Sequence, residues 1–188
     1  SDTDVGKSYV CRGICKEMAN HNETVGYLKP FQSGVVEGIL NDADSVQLGG
    51  ENIITKSSYI TRTPSTPLIS AEIDNVEFDL NKIVSGVLMI DVIKKLKLPT
   101  IVVARPDLGT INHTLMTIDC LINNDIKVLG VVISKYPEKT TDPVITRVKE
   151  MIEMFSGDVK VLGVIKQNQK DFSTLTSKIM ENLALSCF

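Results

Sequence analysis

Apolar residues recur along this chain in two rhythms, and the alternation between the rhythms lays out the fold. Over residues 9–20 they fall at Val10, Ile14 and Met18, with Arg12, Lys16 and Glu17 between them. That spacing predicts an amphipathic helix. After the His21-Asn22-Glu23 stop, residues 24–28 read as a short strand. Residues 49–67 are rich in Gly, Ser, Thr and Pro and are expected to be irregular surface. Leu68-Ile69-Ser70-Ala71-Glu72 is expected to be a short helix behind Pro64 and Pro67. Residues 78–98 read either as one long helix interrupted at Gly86 or as two abutting helices.

The second half changes rhythm. Thr100 to Ala104, residues 127–133 and residues 159–165 are continuous apolar runs of strand length, as in strands buried on both faces. Between them lie helical patterns: Leu115, Ile118 and Ile122; then Val144, Val148, Met151 and Phe155. Leu175, Ile179 and Leu183 close the chain. Strands alternating with helices across short loops predict an α/β fold, a doubly wound and mostly parallel sheet with helices on both faces. Residues 1–188 are expected to form a single domain.

Composition narrows the function. A chain of 188 residues with 43% hydrophobic and 23% charged residues can bury a core without staples. A net charge of −3 and an isoelectric point near 5.4 give no support for a nucleic-acid surface. No apolar run approaches the ~20 residues that cross a bilayer, and no signal-peptide pattern is visible. The cysteines stand at 11, 15, 120 and 187. Cys11 and Cys15 are one helical turn apart beside Val10, Ile14 and Met18, without a second Cys/His pair, so buried small apolar side chains are the expected reading. A reduced, cytoplasmic compartment is expected, without nucleic-acid or membrane partners.

The chemistry concentrates at the start of the chain, Ser1-Asp2-Thr3-Asp4-Val5-Gly6-Lys7-Ser8. Gly-Lys-Ser before a helix is the second half of a phosphate-binding P-loop. Gly6 lets backbone N–H groups face a polyphosphate, Lys7 reaches the β- and γ-phosphates, and the Ser8 hydroxyl can ligate Mg²⁺. The 24–28 strand runs into Lys29-Pro30-Phe31-Gln32-Ser33-Gly34. Ligands of parallel sheets collect beyond the carboxyl ends of strands, which places Lys29 and Ser33 near a site, against the alternative of a solvated turn lysine. Asp42 and Asp44 fall in an Asn/Asp/Ser-rich loop and suit either Mg²⁺ coordination or helix capping. After Thr100–Ala104 comes Arg105-Pro106-Asp107-Leu108-Gly109-Thr110-Ile111-Asn112-His113, where Thr110 or Asn112 is expected to cap a helix and leave N–H groups for an anion. His113 has no nucleophilic partner at a meaningful spacing and reads as a structural histidine.

Three of these stretches together resemble the dethiobiotin synthetase family: 2–8, 29–34 and 104–114, the last with its Leu-Gly-Thr-Ile-Asn-His run. The resemblance implies a P-loop NTPase-like fold and usually a homodimer. It implies ATP as co-substrate with Mg²⁺, and CO₂ and 7,8-diaminopelargonic acid as small-molecule substrates. Asp4, Val5, Gly6, Lys7, Ser8, Tyr9, Asp44 and Ser134 are the implied ATP-binding residues. Lys7, Lys29 and Thr3 are the implied catalytic residues, with Lys29 between a carbamate and the γ-phosphate. Thr3, Lys29, Ser33 and the Gly109, Thr110, Ile111 and Asn112 turn are implied for the diamine and its distal carboxylate, and Ser8 and Asp44 for Mg²⁺.

The chain also departs from that pattern. It begins inside the P-loop motif, and the family's Glu-Gly-Ala-Gly-Gly loop has no counterpart between Ile83 and Leu88, which makes 84–87 a seam. Ser134 stands where many members have an adenine-contacting Asn, and Lys166 where many have Pro, so both bear on base selectivity. A partitioning-type ATPase would carry a basic or membrane-binding patch, and a cobyrinate amidase a glutaminase domain; neither is evident in the sequence. A nucleotide-binding module without catalysis is the non-enzymatic alternative.

Overall fold

The computed structural model describes residues 4–77 and 89–184. In chain order the elements of the first half are α1 (Lys7–Asn20), β1 (Val25–Gln32), α2 (Asp42–Gln47), β2 (Ile53–Ile60), α3 (Pro67–Asp74) and α4 (Met89–Leu96). The second half adds β3 (Thr100–Ala104), α5 (Thr110–Ile122), β4 (Val128–Tyr136), α6 (Pro143–Thr146), α7 (Val148–Phe155), β5 (Val161–Lys166) and α8 (Ser173–Ala184). The architecture is α/β, with every strand pairing among the described residues parallel and helices between the strands. Two compact units divide the chain, residues 1–10 with 96–188 and residues 11–95.

The larger unit is built on a sheet of order β3-β4-β5. Its middle strand is closed to solvent over residues 130–134, with Val131, Val132 and Ile133 each at 0% exposure. Burial on both faces is why this stretch reads as an unbroken apolar run. Helix α5 packs on β3 and β4 and against α7, while α8 packs on β5 and β4. The buried line of α5 is Thr110, Thr114, Ile118 and Leu121, whereas Ile122, expected inside, is half exposed. From Thr114 the i, i+4, i+7 progression reaches Leu121, one residue short of Ile122. The expected single helix over Val144 to Phe155 is also corrected. Asp142 caps α6 by accepting from the Val144 N–H at 2.9 Å, and the chain resets at Arg147 into α7. Val148 and Ile152 are buried there, while Val144 and Phe155 are exposed.

The smaller unit pairs β1 with β2 from Val25↔Ile53 to Gln32↔Ile60. Its core gathers Cys15 and Ala19 of α1, Val25, Val46 and Ile53, with Met18 and Tyr27 against them. Strand β2 lies inside the 49–67 segment expected to be irregular. Its Ile-Ile-Thr-Lys-Ser-Ser-Tyr-Ile sequence is a half-buried strand with inward positions alternating along it, and its small polar residues masked the period. Strand β1 also continues past Leu28 to Gln32, so Lys29 lies within the strand instead of beyond it. Phe31 stacks on Tyr59 with ring centroids 5.8 Å apart and 17° between planes, which carries the pairing past Pro30. Helix α3 occupies the expected place, with Pro67 in its first turn and Asn75 closing it in the left-handed region. Of the ambiguous 78–98 segment, α4 is the described part. Residues 78–88, including the 84–87 seam, lie outside the described residues.

Candidate active site

In the larger unit the site is built around the turn from Asp4 into α1. The Gly6 carbonyl accepts the first helical hydrogen bond from the Val10 N–H at 3.0 Å, so α1 starts directly after the glycine, and its first turn carries no acidic residue. The helix therefore presents N–H groups and its positive dipole end beside Lys7 and Ser8. Asp4 and Gly6 both lie at positive φ, 58° and 93°. Gly6 is also held close: a Cβ on it would stand 2.3 Å from Ser134 Oγ at the end of β4. Tyr9 fixes the first turn of α1 from the other side. Its hydroxyl donates to the Gln169 carbonyl after β5, and its ring meets Phe172 edge-on at 5.6 Å.

Val5 is buried at the rim of a cavity of about 30 Å³ that it shares with Ala104 and Arg105 at the end of β3 and with Gly109 and Thr110 at the head of α5. The structure thus brings the start of the phosphate loop beside the Leu-Gly-Thr turn. The helix cap differs from expectation. Gly109, at φ 89°, is the N-cap and makes no side-chain cap, whereas Thr110 is the buried first residue of the helix and Asn112 is exposed. The left-handed turn that Gly109 permits leaves the first N–H groups of α5 without a capping side chain. Ile111 is half-buried, and His113 is exposed at the cavity edge. Ser134 is fully buried with no hydrogen-bond partner for its Oγ.

One pair at this loop escaped the sequence reading. Lys135 Nζ lies 2.7 Å from Asp4 Oδ1. The hydrogen bond and charge of Lys135, with Arg105 and Lys7 beyond it, hold the Asp4 carboxyl below the usual carboxylate value. Lys135 stands one residue before the carboxyl end of β4 in a parallel sheet, which is the one signal that pointed to it.

The remaining predicted residues belong to the smaller unit. Lys29 forms a close ion pair with Asp42. Asp42 and Asp44 lie in the first turn of α2 and not in a loop. Asp44 is half of a capping box: Asn41 Oδ1 accepts from the Ala43 and Asp44 N–H groups at 2.9 and 3.1 Å, and Asp44 Oδ2 accepts from the Asn41 N–H at 3.3 Å. The carboxylate beside Lys29 is therefore that of Asp42, which the sequence offered for Mg²⁺ or capping and not as a partner of Lys29. Ser33 follows β1 in a partly buried turn, and the Thr61 N–H donates to the Gln32 carbonyl at 2.8 Å. Thr3 lies outside the described residues.

Mg²⁺ takes oxygen ligands and keeps several waters, so it needs one or two protein donors beside phosphate oxygens. The Ser8 hydroxyl and the carboxylates of the Asp42–Asp44 turn are donors of that kind. Among the described residues no group of three or more His, Cys, Asp or Glu forms an all-protein cage. Ser8 at the head of α1, beside the phosphate loop, fits an ion held largely by nucleotide and water.

A Gly-Lys-Ser turn at the head of a helix, seated at the carboxyl end of a parallel strand, defines a P-loop α/β nucleotide-binding protein. A family described as an AAA domain matches residues 1–88 and 81–171. The chain belongs to the dethiobiotin synthetase family. It is 34% identical to the ATP-dependent dethiobiotin synthetase BioD of Methanococcus vannielii, over 92% of each chain. It is 35% identical to that of Methanococcus aeolicus, over 96% of this chain and 97% of the relative. The protein of the same name from Paramagnetospirillum magneticum is 32% identical, over 88% of this chain and 84% of the relative. Among the described residues no helix is long and apolar enough to cross a membrane.

Proposed function

We infer that this chain is an ATP-dependent cyclo-ligase of biotin biosynthesis that makes dethiobiotin from 7,8-diaminopelargonic acid and CO₂. The observation that supports the reading most is a phosphate loop, Gly6-Lys7-Ser8 at the head of α1, in a chain that matches named dethiobiotin synthetases along nearly its whole length. The reading treats residues 1–188 as one catalytic domain, cytoplasmic and acting as a homodimer.

The reaction asks for positioned cations and donors more than for a nucleophilic side chain. One substrate amine takes up CO₂ as a carbamate, whose oxygen attacks the γ-phosphorus and releases ADP. The second amine then attacks the carbonyl of the carbamic–phosphoric anhydride, closing the ureido ring and expelling phosphate. Lys7, with the N–H groups from Asp4 to Tyr9, is assigned to the β- and γ-phosphates. Lys29 is assigned to the charge developing between carbamate and γ-phosphate, and its ion pair with Asp42 orients it. Thr3 and Ser33 are assigned to the diamine, the Gly109–Asn112 turn to its distal carboxylate, and Ser134 to the nucleotide side. Mg²⁺, with Ser8 and Asp44 as its assigned ligands, would neutralise phosphate charge.

The test is a coupled measurement of phosphate release and dethiobiotin formation on the full chain. The expected result is ATP consumption that requires both diaminopelargonic acid and bicarbonate. ATP turnover indifferent to either, or tight ATP binding without turnover, would overturn the reading.

A further inference from the structure

Lys135 has no assigned part in nucleotide binding, yet its side chain is committed to the phosphate loop. It is the first residue after the closed stretch of β4, and it takes a left-handed conformation, φ 56°. That region is uncommon for a long unbranched side chain outside sites where the surroundings impose it. The residue before it, Ser134, is packed directly against Gly6, so the end of β4 and the phosphate loop are in van der Waals contact. From there the Lys135 ammonium reaches Asp4, itself at φ 58°.

The electrostatics make this pair easy to exchange. Asp4 is 83% exposed and Lys135 42% exposed at the side chain, and an ion pair in water contributes little. Lys7 and Arg105 both lie near enough to act on the Asp4 carboxylate. The mouth of the loop therefore carries three cations, Lys7, Arg105 and Lys135, all acting on the Asp4 carboxylate, with Asp107 also paired to Arg105 at 3.0 Å. A polyphosphate brings more negative charge and more acceptor oxygens than that carboxylate does.

We propose that Lys135 is an additional phosphate-binding residue of the nucleotide site, held by Asp4 in the free protein and transferred from that carboxylate to a nucleotide phosphate when ATP binds. Asp4 is then a competitor of the nucleotide: it keeps the cation over the loop while the site is empty and lowers apparent ATP affinity. The inference rests on the reading of residues 4–8 as a nucleotide loop, and it adds a residue that the sequence motif does not contain.

The experiment is titration calorimetry of the full chain with ATP, and separately with adenosine, with thermal unfolding of every variant as a control on folding. Lys135→Gln is expected to weaken ATP binding about tenfold or more, the loss of one charge-assisted bond to phosphate, and to leave adenosine binding unchanged. Lys135→Arg keeps the charge and should restore most of the affinity. Asp4→Asn is expected to tighten ATP binding about two- to fivefold in the wild-type background, and by distinctly less in the Lys135→Gln background, where only Lys7 and Arg105 remain to be released. Equal weakening by Asp4→Asn and Lys135→Gln would mean the pair is a structural clasp and would overturn the proposal, as would unaltered ATP affinity in a folded Lys135→Gln protein. If Lys135→Gln does not fold, Lys135→Met is titrated with ATP and adenosine in its place, with the same outcomes expected. Wild-type chain that binds no ATP would instead refute the nucleotide loop itself.

Discussion

Ser134 Oγ stands directly against Gly6, so close that a methyl group on that glycine would lie 2.3 Å from the hydroxyl oxygen. The contact couples the end of β4 to the phosphate loop, and with φ 93° it leaves position 6 open to glycine alone. Gly6→Ala is therefore expected to shift the loop, with strain of about 1–3 kcal/mol. Titration calorimetry should show ATP affinity falling by at least about tenfold, while the far-ultraviolet spectrum stays that of a folded chain.

Two lysines should fail in different ways. Lys7→Ala removes a charge from the β- and γ-phosphates, so ATP binding and turnover are expected to be lost together. Lys29→Gln should leave ATP binding largely intact while kcat collapses, because the lost charge acts on the group in transfer. Steady-state kinetics beside equilibrium ATP titrations separate the two. Full turnover by Lys29→Gln would reduce that residue to a partner of Asp42.

Asp74, at the end of α3, ties down the turn after β2. Its carboxylate accepts from the Thr63 hydroxyl at 2.6 Å, from the Thr63 N–H at 3.0 Å and from the Arg62 N–H. The Thr63 bonds first, and then the Arg62 bond and charge, lower its pKa from the ordinary 3.8. A lowered native value means stability that is present above pH 3.8 and is lost as pH falls through the native pKa. Asp74→Ala is expected to lower the thermal midpoint at neutral pH. The gap from wild type should close on acidification below pH 3.8, read from melting curves across pH.

The cysteines should differ sharply in reactivity. Cys15 is buried in the smaller unit, and that burial, with Cys11 nearby, pushes its thiol up to about 11. Cys120 is exposed on α5. Since the thiolate is the reacting form, iodoacetamide at pH 8 should alkylate Cys120 well before Cys15, with Cys15 reacting at full rate only after denaturation. Peptide mass spectrometry over a time course checks the order.

The parts of the protein that could be read from the chain are those whose cause is local. The Gly6-Lys7-Ser8 turn and α1 are contiguous, and the helix start follows from residues within a few positions of it. The apolar runs at β3, β4 and β5 were equally legible, because burial on both faces leaves an uninterrupted signal that needs no partner to interpret. Strand β2 was not, since a half-buried strand rich in Ser and Thr resembles a loop until its pairing with β1 is known. The extension of β1 through Pro30 was hidden for a related reason: the Phe31–Tyr59 stack that supports it involves two distant segments.

The sequence by itself determined the α/β class, the phosphate loop and the membership of the chain in its family, because each is written in consecutive residues or in a period. Only the tertiary structure decided which carboxylate does what. Asp42 and Asp44 stand two positions apart, yet the first turn of α2 directs Asp44 to its own backbone cap and leaves Asp42 to Lys29. It also decided that Ser134 supports Gly6 and that Lys135 holds Asp4. These are contacts between a strand end and a loop far apart in the chain, and no local pattern encodes them, since they arise only when packing brings the two segments to one place.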